Sequence, residues 1–188
     1  MIKLYRSDSG TVDYWETWPV EERPGTAVVH EGRLGEPGTS EEVTCGDDFA
    51  AWAARQADDK QQAGFRPLSD EEHDVLLIKW SAAVLPDPRA IDPLWDELER
   101  LVNEALGWSG LGRCLGMDYS GPSADQADWE LTAMALAVDA ATAIPVLVRA
   151  LSETGRAAGA VIAVRDDARD VIRWPAANAG SDLDPELV

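Results

Sequence analysis

Val28-Val29-His30-Glu31-Gly32-Arg33-Leu34-Gly35-Glu36-Pro37-Gly38 carries an apolar run straight into a glycine-punctuated turn. Val28 and Val29 favour a pleated, half-buried strand. Gly35, Pro37 and Gly38 supply the backbone conformations of a tight turn. On the N-terminal side, Ile2 to Ser7 alternates, with Ile2, Leu4 and Arg6 on one face. Ser9-Gly10 is a turn pair, and Thr11 to Trp18, with Tyr14, Trp15 and Trp18, is a second strand. Glu21 to Gly25 turns the chain into a third strand, Thr26 to His30. On the C-terminal side, Ser40 to Thr44 is a short polar strand. These spacings are those of an antiparallel meander.

A helix follows the meander. Asp47 or Asp48 can cap it, placing a carboxylate on free backbone donors at the positive end of the helix dipole. Phe49, Trp52, Ala53, Gln56 and Ala57 form the buried stripe, Gly64 ends the helix, and Phe65 plugs it.

The remainder reads strand, helix, strand, strand, helix, strand. Val75 to Trp80 is apolar on both faces, as a central strand must be. Pro86, Pro88 and Pro93 mark the connection to a helix that Asp92 would cap, with Leu94, Leu98, Leu101, Val102 and Ala105 as its stripe and Gly107 as its stop. Leu111 to Tyr119 carries Arg113 and Asp118, which suits an edge strand. Ser120-Gly121-Pro122-Ser123 is a loop, and Trp129 to Val138 a second central strand. Asp139 or Thr142 caps the next helix; Pro145 favours Thr142, because proline belongs in a first turn. Ala160 to Val164 is the last clear strand, and Val171 to Trp174 adds a short edge. The order is that of a ferredoxin-like βαββαβ unit. The fold expected is therefore α+β. Residues 1–68 form an antiparallel sheet with one helix, 72–175 a ferredoxin-like sandwich, and 176–188 an acidic tail.

Composition narrows the function. The 188 residues include 35 acids and 16 bases, a formal net charge of −19. Residues 1–66 hold seven bases and thirteen acids, and residues 67–188 nine and twenty-two, so both halves are acidic. Phosphate binding draws affinity from Lys and Arg, so this balance disfavours nucleic acid and suits a basic protein partner. Eight Trp against two Phe fit core or interface anchors. Cys45 and Cys114 make neither a disulfide framework nor a zinc motif, which points to a reduced, cytoplasmic setting. No signal-peptide pattern and no membrane-length apolar run is present.

The first part resembles a WGR domain over Met1 to Pro67. The features that carry the resemblance are the Tyr14-Trp15 strand, the Val28-Val29 strand entering Gly32-Arg33-Leu34-Gly35-Glu36-Pro37-Gly38, and a helix ending Ala63-Gly64-Phe65. Gly32, Arg33 and Gly35 occupy matching positions; the family's Trp is Glu31 here and its late Tyr is Phe65. In poly(ADP-ribose) polymerases such domains contact DNA ends and neighbouring domains. Bacterial WGR-like domains also stand beside other modules. A carboxylate in place of the aromatic removes stacking and repels phosphate. The resemblance therefore implies a fold, with nucleic-acid regulation as an alternative function.

No catalytic constellation stands out. His30 and His73 fall in different elements, and His30 and Glu31 point to opposite strand faces. Gly107-Trp108-Ser109-Gly110-Leu111-Gly112 closes a helix and enters a strand, the reverse of a phosphate-binding loop. Asp166-Asp167-Ala168-Arg169-Asp170 lacks the ligand spacing of a calcium loop. The expectation is a non-enzymatic interaction protein without metal or cofactor, of an immunity or antitoxin type. A small-ligand binder at an inter-domain cleft is the further alternative. The candidate surface is Glu31, Gly32, Arg33 and Glu36, with Trp108 and Arg113 as the second choice. Arg33 would otherwise pair with Glu36 or Glu42.

Overall fold

Alternating side chains near the N-terminus become four strands: β1 (Ile2–Asp8), β2 (Thr11–Pro19), β3 (Thr26–Arg33) and β4 (Thr39–Thr44). The computed structural model describes residues 1–81, 91–120, 130–166, 169–176 and 180. The strands form one antiparallel sheet in chain order. Strand β3 continues past His30 to Arg33, because β2 still offers Trp15, Tyr14 and Asp13 as partners for Glu31, Gly32 and Arg33.

Helix α1 (Phe49–Gln62) begins where Asp48 accepts a hydrogen bond from the Ala51 amide at 3.0 Å. It ends at Gly64, whose φ of 90° lies in the left-handed region that side-chain-bearing residues avoid. The chain reversal there lets the Phe65 amide bond the Lys60 carbonyl at 3.0 Å. Phe65 thereby reaches a core of Leu4, Trp15 and Ala57, with Ile2 and Val29 packed against it. Tyr5 and Arg66 exchange two backbone bonds of 2.8 Å, which pairs the outer edge of β1 at Tyr5.

The chain divides into two units. The first comprises residues 1–70 together with Trp108–Gly110, and the second the remaining residues from Glu71.

The second unit contains β5 (Asp74–Ser81), α2 (Ile91–Gly107), β6 (Gly112–Ser120), β7 (Glu130–Ala137), α3 (Ala140–Glu153), β8 (Ala160–Asp166) and β9 (Arg169–Trp174). Its antiparallel sheet has the order β6-β7-β5-β8-β9. Strands β5 and β7 are interior and β6 is an edge, as in a ferredoxin-like sheet; β9 adds a fifth strand beside β8. Leu76, Ile78, Trp80, Leu131, Ala133 and Ala135 alternate onto one buried face, against Leu98, Val102, Leu147 and Leu151 of α2 and α3. Arg156 follows α3 and grips the Glu97 carboxylate of α2 at 3.0 and 2.8 Å, while its carbonyl accepts from the Trp80 indole. This hydrogen bond holds the Glu97 carboxyl below the usual carboxylate range.

Three local readings change. Asp139, not Thr142, caps α3: its carboxylate accepts from both the amide and the hydroxyl of Thr142. Pro145 lies within the helix, beyond the first turn, so a strong two-bond cap outweighs the single backbone donor that proline lacks. Leu106 is fully buried on α2 and Ala105 only partly, because the stripe shifts by one residue in the last turn. Helix α2 begins at Ile91, so Pro93 stands further into its first turn, where a missing donor still costs nothing. Asp92 for the same reason lies inside the first turn of α2 rather than at its cap. The Pro86 and Pro88 connection, Gly121 to Ser123, Trp129, Asp167-Ala168 and most of the 176–188 tail lie outside the described residues.

Candidate functional site

Lys3, Tyr5, Tyr14, Glu16, Trp18, Val28 and His30 alternate onto the face of the first sheet opposite α1. Register brings the charged ones together: Lys3 lies across from Glu16, and Glu16 across from His30. The Glu16 carboxylate takes Lys3 Nζ at 3.1 Å on one oxygen and His30 Nδ1 at 2.8 Å on the other. An ionised carboxylate only accepts, so Nδ1 carries a proton. His30 Nε2 lies 3.0 Å from the Tyr14 hydroxyl. Glu16, His30 and Tyr14 are 4%, 1% and 1% exposed, so the chain of bonds is sealed from solvent.

The cover of this face is the connection after α2. Tyr14 Oη donates to the Trp108 carbonyl at 3.3 Å, and Tyr5 Oη to the Gly110 carbonyl at 3.1 Å. The Gly35 amide donates to the Ser109 carbonyl at 2.8 Å. The Trp108 ring meets His30 edge-on at 5.1 Å and Trp18 at 6.3 Å, yet the residue remains 52% exposed.

The glycines of the opening turn have a packing purpose. A Cβ on Gly38 would meet Tyr14 Oη, and would stand 2.6 Å from both the Glu31 carbonyl and His30 Nε2. One on Gly32 would fall 2.8 Å from the Gly38 Cα, and one on Gly110 would enter the Tyr14 ring. The three glycines let backbone close over one buried tyrosine. Gly110 also requires its φ of 69°.

Burial pushes the Tyr14 phenol up to about 12, with the Glu16 charge adding to it and a hydrogen bond from the Gly38 amide opposing. Burial pulls the Lys3 ammonium down, against the attraction of Glu16. The raised Tyr14 value means that the fold holds this proton more tightly than the unfolded chain does. The associated stability is present below pH 10 and is lost as pH rises towards 12. Denaturant titrations across this range should therefore show a shallower alkaline loss in Tyr14→Phe than in the native chain. Equal slopes would contradict the assignment.

A lysine, a carboxylate, a histidine and a tyrosine in series have the composition of a proton relay. Glu16, His30 and Tyr14 are buried, and Lys3 at the end of the series is partly exposed. What the arrangement does is fix Trp108–Gly110.

Of the residues singled out in the sequence, Gly32 packs against Tyr14, and the turn bearing Glu36 is joined to the Trp108 loop through Gly35 and Ser109. Glu31 lies on the other face and holds Lys60 at 2.5 Å. There it lines a groove of about 410 Å³ with Arg6, Asp13, Lys60 and Phe65, in which Arg6 pairs with Asp13 at 2.8 Å. Arg33 is exposed at the end of β3; Glu42 is taken by Arg23 instead, through both oxygens, because Arg23 stands on the adjoining turn. Arg113 is exposed on β6, in the second unit. Lys3, Tyr5, Tyr14 and Glu16 escape a reading along the sequence, since only the β1–β2–β3 register assembles them. The signal available is alternation: Lys3 and Tyr5, then Tyr14 and Glu16, occupy every second position.

Among the described residues, no three His, Cys, Asp or Glu side chains gather as a metal site, and no helix is long and apolar enough to cross a membrane. No protein-family profile, curated protein or solved structure matches the chain.

Proposed function

We propose that this protein acts by binding a basic protein partner rather than by catalysis, with Trp108 as the anchor of the contact. One observation carries the reading: a half-exposed indole is held by hydrogen bonds to its own loop from Tyr5, Tyr14 and Gly35. Interface anchors are typically aromatic, and rigidity before binding reduces the entropy lost on association. The excess of 35 acids over 16 bases supports a basic partner, since complementary charge speeds encounter. A protein of immunity or antitoxin type, covering the basic cleft of an enzyme, fits this description. The two free thiols, Cys45 and Cys114, suit a reduced, cytoplasmic setting. The WGR-like character of the first unit is part of the same proposal, supported by its four-stranded meander and a helix that ends at Gly64 and Phe65.

The test is affinity capture from the source cell extract with the native chain and with Trp108→Ala, followed by calorimetry on the protein retained. The variant loses the ring that packs on His30 and Trp18, so it should unfold at a lower denaturant concentration while remaining folded in buffer, and bind at least tenfold more weakly, about 1.4 kcal/mol. Native binding should also weaken with salt. Equal affinity in both chains would refute the anchor; retention of nucleic acid alone would refute the partner class.

A further inference from the structure

The two edges of the first sheet differ. The β1 edge is paired at Tyr5 by the Arg66 backbone, whereas among the described residues β4 pairs only with β3. Register shows which groups of β4 are free. The Cys45 amide bonds the Gly25 carbonyl at 2.8 Å, so the pairs Ala27/Val43, Val29/Glu41 and Glu31/Thr39 are the hydrogen-bonded ones. The Val20 amide bonds the Thr26 carbonyl at 3.0 Å, which confirms that Thr26, Val28 and His30 turn their backbone groups towards β2. Ser40, Glu42 and Thr44 consequently present their amides and carbonyls outward. All three are exposed. The strand contains no proline, lysine or bulge, the usual devices that blunt an edge.

Charge decides what fits there. Residues 36–48 carry five carboxylates, Glu36, Glu41, Glu42, Asp47 and Asp48, and no base. Two copies of this edge would set carboxylate against carboxylate, which like-charge repulsion opposes. Glu42 already shows the complementary chemistry by gripping the Arg23 guanidinium with both oxygens. Ser40, Glu42 and Thr44 also share the sheet face of His30 and Val28, the face on which Trp108 sits.

We infer that β4 is a docking edge for an extended, basic segment of a partner protein, which pairs with the outward groups of Ser40, Glu42 and Thr44 as an added strand. Lysine or arginine at alternate positions of that segment shares one sheet face and meets Glu41 there, while Glu42, on the other face, already holds Arg23. The inference rests on the reading of the protein as a binder of basic partners, and adds the mode of contact.

The experiment is residue-resolved amide exchange on the full chain, with a short blocked peptide of alternating lysine and valine as the probe. Exchange at Ser40, Glu42 and Thr44 should slow by about tenfold. Thr39, Glu41 and Val43, already bonded to β3, should change little. The same peptide with glutamate for lysine should give no protection. Ser40→Pro, which removes an outward donor without touching the β3 ladder, should abolish the effect, and Glu41→Gln should weaken it should the proline variant not fold. Absence of protection, equal protection by the acidic peptide, or protection that appears with protein concentration alone would overturn the inference. Trp108→Ala separates the two proposals. Protection that survives in that variant supports the edge irrespective of the anchor. A Trp108-dependent partner that leaves β4 exchange unchanged removes the edge and keeps the anchor.

Discussion

Glu16→Ala should destabilise the first unit by about 3–5 kcal/mol, the range seen when one partner of a buried ion pair is removed. The cause lies in what the substitution leaves behind. Lys3 and His30 both spend their charge or proton on this carboxylate, at 3.1 and 2.8 Å, and His30, 1% exposed, has no water to replace it. Restoring an apolar pair should recover part of the loss. Lys3→Met with Glu16→Leu removes both charges, and a buried pair exchanged for well-packed apolar groups is often neutral, but His30 Nδ1 still loses its acceptor. The two single variants and the double variant, compared by denaturant midpoint, check this directly. A cost under 1 kcal/mol for Glu16→Ala would mean that the pair is solvated in practice, and the sealed network would be wrong.

Gly110→Ala should be the second severe change, at about 2–4 kcal/mol, with a positive-φ penalty and a steric clash acting together. A methyl group there enters the ring of Tyr14, which is fully buried and cannot retreat. The loop has to lift, and with it go the bonds from Tyr5, Tyr14 and Gly35. Gly46→Ala is the matched control: its φ is 74°, close to that of Gly110, and its Cβ would meet open space, so it should cost only the positive-φ penalty. If both variants unfolded at the native midpoint, Gly110 would not be a closure point. Loop lifting should also expose His30, whose ring Trp108 covers at 5.1 Å.

Much of the architecture is legible without coordinates, because it depends on short-range patterns. Alternation at Ile2 and Leu4, the Asp48 cap and the Gly64 stop are local signals, and each determines its element. The interior position of β5 and β7 follows from continuous apolar runs, since only strands covered on both sides tolerate them. The cap of α3 departs from the proline-based expectation because proline preference is a weak bias beside two hydrogen bonds to one carboxylate. The candidate site was half legible. Trp108 and the glycine turn stand out by residue type alone. Their link to each other runs through Tyr14, which lies 94 residues from Trp108, and no periodicity encodes such a contact. Glycine in a turn also reads the same whether it serves a positive φ or a close approach. At Gly38 the reason is the approach of Tyr14 and His30, and at Gly110 it is both.

The Lys3–Glu16–His30–Tyr14 series holds Trp108 still. Nitrogen-15 relaxation of the Trp108 indole N–H measures this in the native chain without any partner. The account predicts an order parameter near that of the sheet backbone, about 0.85. A value below about 0.6, as in a free surface side chain, would contradict it.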